Sequence, residues 1–176
     1  MNQSIILIGY MGAGKTTLGK ALAQNLGVEF CDLDWYIEER CGKTIPDIFR
    51  ESGEDGFRLI EREMLHEVTG KKNTVIAVGG GTPCFFDNMD YMNDKAMTVY
   101  LKAEIPTLID HLHMSHTKRP LLEGKTDAQL ADYIAESLGK REPFYSKARK
   151  TVEIQTIHLQ EQIDNYVEII KKIAQQ

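Results

Sequence analysis

Near the start of the chain, Gly9-Tyr10-Met11-Gly12-Ala13-Gly14-Lys15-Thr16 follows the pattern GxxxxGK[ST]. An apolar run, Ile5 to Ile8, precedes it. Behind it Leu18, Leu22 and Leu26 recur at helical spacing, with Gly27 as a stop. The pattern therefore sits between a strand and a helix, the context it needs to bind phosphate. Glycines permit a tight loop whose backbone N–H groups converge on phosphate oxygens, and the helix N-terminus adds a dipole that favours negative charge. Lys15 is expected to reach the β- and γ-phosphates, and the Thr16 hydroxyl to coordinate Mg²⁺. A nucleoside triphosphate site follows; the second substrate is not named by this motif.

Other residue groups supply the rest of a transfer site. Phe30-Cys31-Asp32-Leu33-Asp34 places two carboxylates two residues apart, on the same side of an extended backbone. One can serve Mg²⁺ and the other an acceptor hydroxyl; an ordinary acidic turn is the alternative. In Phe57-Arg58-Leu59-Ile60-Glu61 the charges are i, i+3 on a helix, so Glu61 can fix the Arg58 guanidinium for a bidentate grip on a carboxylate. Taken alone, that spacing favours a surface ion pair of little energetic worth. Gly79-Gly80-Gly81 offers bare N–H groups at a strand end, or a flexible turn. Lys118-Arg119-Pro120-Leu121-Leu122 lies in a long polar stretch, where Arg119 reads as a lid cation and Lys118 as a solvated charge. Arg141, in Arg141-Glu142-Pro143-Phe144-Tyr145, is either a second anion contact or a solvated helix-end charge, and Pro143 should kink or end its helical turn.

The elements that must carry these groups alternate along the chain. Strands are expected at Ile5 to Ile8, Val28 to Cys31, Thr74 to Val78, Met97 to Leu101 and Thr151 to Ile154. Between them lie helical patterns at Lys15 to Leu26, Trp35 to Arg40, Ile45 to Arg50, Asp55 to Thr69 and Ile105 to His113. Another is opened by a Thr126-Asp127-Ala128-Gln129 capping box, and a last one runs from Leu159 to Ala174. Such alternation predicts a parallel sheet covered on both faces, with ligands beyond the carboxyl ends of the strands. Three of the motifs fall at such ends.

Length and composition set the outer limits. The 176 residues fit one domain, 42% are apolar and 27% charged, and the net charge is −5. With no basic stripe, no nucleic-acid partner is expected. The cysteines, Cys31, Cys41 and Cys84, form neither a CxxC pair nor an even set, so reduced thiols in a cytoplasm are expected. No apolar run approaches the roughly 20 residues of a membrane span, so no membrane partner is expected either. A monomer is expected.

Taken in order and spacing, GxxxxGKT, FxDxD, FRxxE, GGG, RPLL and RxPxY resemble shikimate kinases, from about Ile5 to Arg149. The first motif is widely shared; the combination of the others is far more specific. The resemblance implies transfer of the ATP γ-phosphate to the 3-hydroxyl of shikimate, on the route to chorismate and the aromatic amino acids. It implies the three-layer α/β fold of nucleoside monophosphate kinases: a five-stranded parallel sheet in order 2-3-1-4-5, helices on both faces, a substrate-binding helical segment near 34–69 and a lid near 114–126. The nucleotide set it implies is Gly12, Ala13, Gly14, Lys15, Thr16, Thr17 and Arg119. Asp34, Arg58, Gly79, Gly80, Gly81 and Arg141 would hold shikimate, with Asp34 helping to deprotonate the attacking hydroxyl. Thr16 and Asp32 would organise Mg²⁺, and Lys15 and Arg119 would act on the transferring group. The pattern departs from the family near the adenine. Where relatives often carry an Arg, this chain has His111-Leu112-His113, both histidines being expected at the surface, and Glu153-Ile154-Gln155-Thr156 offers no evident partner for the base.

Overall fold

A computed structural model of the chain describes residues 3–115 and 124–174. Its strands are β1 (Ile5–Ile8), β2 (Glu29–Asp32), β3 (Thr74–Ala77), β4 (Met97–Ala103) and β5 (Lys150–Ile154). They form one parallel sheet in the order β2-β3-β1-β4-β5, as expected. All four residues of β1 and all four of β3 are buried, so the central strands are covered on both faces. The helices are α1 (Lys15–Leu26), α2 (Leu33–Cys41), α3 (Ile45–Thr69), α4 (Asn88–Lys95), α5 (Ile105–Met114), α6 (Asp127–Tyr145) and α7 (Gln160–Ala174).

Local chemistry accounts for the boundaries that matter to the site. Helix α1 stops at Gly27, whose left-handed conformation lets its N–H reach back to the carbonyls of Ala23 and Gln24. The Asp32 carboxylate accepts from the Asp34 N–H and so starts α2 directly behind β2. Two helical patterns expected at Ile45 to Arg50 and Asp55 to Thr69 are joined in α3, broken only at Gly53 (φ 67°, ψ −175°). The capping box at Thr126 is present in both its bonds. Pro143 does not end α6, which continues to Tyr145.

Helix α4 and the 3-10 turn at Thr82–Cys84 have no counterpart in the sequence pattern. In α4, Asn88-Met89-Asp90-Tyr91-Met92-Asn93-Asp94-Lys95, the apolar residues that become buried are Met89 and Met92, too few to mark a period. A single core runs through the sheet, with Leu18 and Leu22 of α1, Leu65 and Val68 of α3, Ile134 of α6 and Ile170 of α7 packed onto it.

Candidate active site

The phosphate-binding loop leaves β1 at Gly9 and enters α1 at Lys15. Gly9 has φ 147°, and a Cβ there would lie 2.7 Å from the carbonyl oxygen of Leu101, so the loop presses backbone to backbone against β4. Gly14, at φ 88°, makes the left-handed turn that aims the first N–H groups of α1 into the cleft. Lys15 Nζ donates to the carbonyls of Gly9 (2.8 Å) and Tyr10 (2.9 Å), lying across its own loop. Thr16 donates its hydroxyl to Asp32 Oδ2 at 2.8 Å. These groups border a cavity of about 770 Å³ that also takes in Thr17, Asp34, Gly79 and Gly80.

Where the cavity meets Gly79 and Gly80 the acceptor candidates surround the triple glycine, each glycine leaving room for a different side chain. A Cβ on Gly79 would lie 3.1 Å from Asp34 Oδ1, and one on Gly80 would lie 3.1 Å from Arg141 Nη1. Asp34, Arg58 and Arg141 thus gather on the turn after β3 from α2, α3 and α6. The flexible-turn alternative for the triple glycine does not describe it: these positions are glycine because charged groups stand where side chains would be.

Arg58 is fixed on several sides. Nη1 donates to Glu61 Oε2 at 2.9 Å and Nη2 to Glu54 Oε1 at 3.2 Å, while the guanidinium lies 4.0 Å from the centre of the Phe85 ring. Glu61 is 1% exposed, and its other oxygen accepts the Thr82 hydroxyl at 2.7 Å. The surface ion pair that the spacing alone favours is therefore replaced by a mostly buried one. Arg58 Nε is buried with no partner among the described residues. Arg141 stacks over Tyr10, its Cζ 5.3 Å from the ring centre, and Tyr145 donates its hydroxyl to the Gly80 carbonyl, tying the end of α6 to the same turn.

Asp34 shares this turn but sits in an acidic setting. Burial, then the neighbouring charges of Asp32 and Glu61, raise its carboxyl to about 6. That places a carboxylate near the value at which it can take a proton at neutral pH. Burial likewise pushes the Cys84 thiol up, which is unfavourable for thiolate chemistry beside the two arginines.

Two of these partners, Phe85 and Thr82, lie outside every motif. Phe85, Thr82, Tyr10 and Tyr145 act through packing and through bonds between distant elements. His111 is half-buried rather than free at the surface: Nδ1 lies 2.6 Å from the Gly12 carbonyl oxygen, and Nε2 accepts the Ile157 N–H at 2.8 Å. His113 is exposed, beside Asp127. Arg119, Lys118 and most of the expected lid lie outside the described residues.

Comparison with known proteins identifies the family. The family model described as shikimate kinase matches residues 11–174. A shikimate kinase from Phocaeicola vulgatus is 52% identical over 168 residues, covering 96% of both chains. The crystal structure of the shikimate kinase from Bacteroides thetaiotaomicron superposes with a TM-score of 0.96 at 46% identity, covering 100% of both chains. That of the Acinetobacter baumannii shikimate kinase in complex with shikimate has a TM-score of 0.83 at 35% identity, covering 98% of this chain and 93% of the other. A family match across nearly the whole length, on a fold whose strand tips bring a phosphate loop beside a pair of arginines, makes this chain a member of the shikimate kinase family.

Proposed function

We propose that the chain transfers the γ-phosphoryl group of ATP to the 3-hydroxyl of shikimate, giving shikimate 3-phosphate and ADP. One observation carries the reading beyond family membership: Asp34 borders the same cavity as the phosphate loop and shares the triple-glycine turn with Arg58 and Arg141. A carboxylated ring held by Arg58 and Arg141 would present its hydroxyls to Asp34.

The chemistry needs positioning and charge neutralisation more than covalent help. Arg58 and Arg141 bind the carboxylate, and the backbone of Gly79, Gly80 and Gly81 flanks the ring. Asp34 accepts the proton of the 3-hydroxyl as its oxygen bonds to the γ-phosphorus. The bond from that phosphorus to the β,γ-bridging oxygen breaks, and the electron pair leaves with ADP. Gly12, Ala13 and Gly14 offer backbone N–H groups to the phosphates, and Thr17 adds a hydroxyl at the cavity edge. Lys15 moves from the Gly9 and Tyr10 carbonyls to the β- and γ-phosphates. Arg119, placed by sequence in the lid, would meet the same phosphates on closure, a contribution of about 10³ or more in rate.

Thr16 Oγ1 and Asp32 Oδ2, 2.8 Å apart, are hard oxygen donors suited to Mg²⁺. Among the described residues no set of three or more His, Cys, Asp or Glu side chains could hold a metal by itself. That fits an ion whose remaining ligands are phosphate oxygens and water. Bound there, Mg²⁺ would neutralise charge on the β- and γ-phosphates.

A single domain over 1–176, a monomeric state, a cytoplasmic location and the absence of nucleic-acid or membrane partners complete the proposal. No helix among the described residues is long and apolar enough to cross a membrane. The deciding assay is ADP release. It should require shikimate, with neither gluconate nor AMP replacing it; equal release with all three would remove the acceptor assignment.

A further inference from the structure

Away from the triple glycine the cavity runs along His111, Met114, Ile157 and Leu159, and it contains a side chain with two defined bonds. His111 lies on α5, beneath the phosphate loop. A Cβ on Gly12 would stand 3.1 Å from the Leu108 carbonyl oxygen and 3.3 Å from Leu112 Cγ, so α5 is in direct contact with the loop. His111 Nδ1 faces the Gly12 carbonyl oxygen at 2.6 Å, and Nε2 faces the Ile157 N–H at 2.8 Å. A carbonyl oxygen can only accept and a backbone N–H can only donate. The pair of contacts therefore defines one state of the ring: neutral, with the proton on Nδ1.

Ile157 belongs to the segment 155–159, between β5 and α7. Helix α7 shapes that segment from within. Gln162 Oε1 accepts the N–H groups of His158 (2.8 Å) and Leu159 (3.0 Å), and Tyr166 accepts that of Gln155 (2.9 Å). From α5, Asp110 accepts the Thr156 hydroxyl at 3.1 Å. These bonds give the segment its form but do not touch the phosphate loop. His111 does: it spans from the segment to Gly12, while the Ile157 side chain comes within 3.9 Å of a Cβ placed on Gly14. Both sides of this junction line the cavity, with Met11 on the loop side and Leu159, 63% exposed, on the other.

We propose that His111 is a positioning residue for the nucleotide. Its ring, protonated on Nδ1, ties the phosphate loop to the segment after β5 and so keeps open the slot that takes the purine. The inference rests on ATP being the phosphoryl donor. A slot held in its bound form binds more tightly because less ordering is left for the ligand to impose. Without the ring, the Gly12 carbonyl and the Ile157 N–H lose their partners and the segment loses its hydrogen-bonded link to the loop.

The test is calorimetric titration of ADP into the full chain and its variants at fixed Mg²⁺, with shikimate titrated in parallel. His111→Ala should bind ADP about tenfold more weakly, with shikimate affinity unchanged. His111→Gln offers one donor and one acceptor on a planar amide and should recover most of the loss. In ¹⁵N-resolved spectra of the unsubstituted protein, Nδ1 should carry the proton and Nε2 should not, a reading that needs no variant to fold. Unchanged ADP affinity in His111→Ala, equal loss in Ala and Gln, or a proton on Nε2 would each overturn the proposal. No ADP binding by the unsubstituted chain would overturn the donor reading together with it.

Discussion

Gly81 and Arg58 touch: a Cβ built on Gly81 would lie 2.8 Å from Arg58 Nη2 and 2.9 Å from Nη1. Gly81 has an ordinary right-handed backbone (φ −87°, ψ −24°), so the constraint there is space and not conformation. Gly81→Ala should fold normally yet push the guanidinium aside. The expected result is an increase of about tenfold or more in the shikimate KM with the ATP KM unchanged, measured by coupled ADP release. Equal effects on both substrates would show that the contact does not belong to the acceptor side.

Removing the guanidinium is a stronger form of the same experiment. Arg58→Ala should abolish useful shikimate binding in a calorimetric titration while ADP binding stays near normal. Arg58→Lys should recover little, because a single ammonium cannot reproduce a fork held by Glu61 and Glu54. Loss of ADP affinity in either variant would place Arg58 in the other subsite.

Asp34 should leave its mark on the pH profile. Only the ionised carboxylate can accept a proton, and its carboxyl is raised to about 6. The rate at low shikimate concentration should therefore fall as pH drops through about 6, approaching tenfold per pH unit below it. Asp34→Asn should lower kcat by roughly 10²–10⁴. A variant that keeps wild-type kcat would end the base assignment.

The same residue predicts a stability trade-off. A carboxyl raised in the folded state binds its proton more tightly than in the unfolded chain, so it destabilises the fold wherever it is ionised. The penalty is present above about pH 6 and vanishes below the unfolded value near 4. Asp34→Asn should raise the melting temperature at pH 7.5, by the equivalent of about 2–3 kcal/mol. The gap between variant and wild type should close as pH is lowered toward 4.5. A gap that widens on acidification would contradict the sign.

Glu61 connects α3 to the turn after β3 by giving one oxygen to Arg58 and the other to Thr82. Glu61→Ala leaves a largely buried guanidinium with only the exposed Glu54 and strands a buried hydroxyl. Chemical denaturation should show a loss of about 2–4 kcal/mol, and shikimate affinity should fall with it. Thr82→Val removes one of these bonds and should cost less, on the order of 1 kcal/mol.

The strands, most helices and the phosphate loop were legible because each has a period or a motif of its own. Strand β1 shows its full burial as a continuous apolar run, and α1 shows its buried face in Leu18 and Leu22. Asp34, Arg58, Gly80 and Arg141 could be proposed as acceptor residues only through the family pattern, since their spacing equally fits surface charges and turns. What brings them together is the sheet order, which puts β3 between β1 and β2. Phe85 and Thr82 left no trace because a contact with Arg58 or Glu61 from far along the chain has no local signature. His111 was misread as a surface residue for the same reason: its two partners are 99 and 46 residues away.

The sheet order has a further effect. Because β3 is hydrogen-bonded directly to β1, the loop for the donor and the turn for the acceptor leave adjacent rungs of one backbone ladder, about 4.8 Å apart. On the proposed reading, the gap between the two reactants would be set largely by main-chain spacing. Substitutions around the rim would then alter which acceptor or base fits more readily than they alter the reach from phosphorus to oxygen.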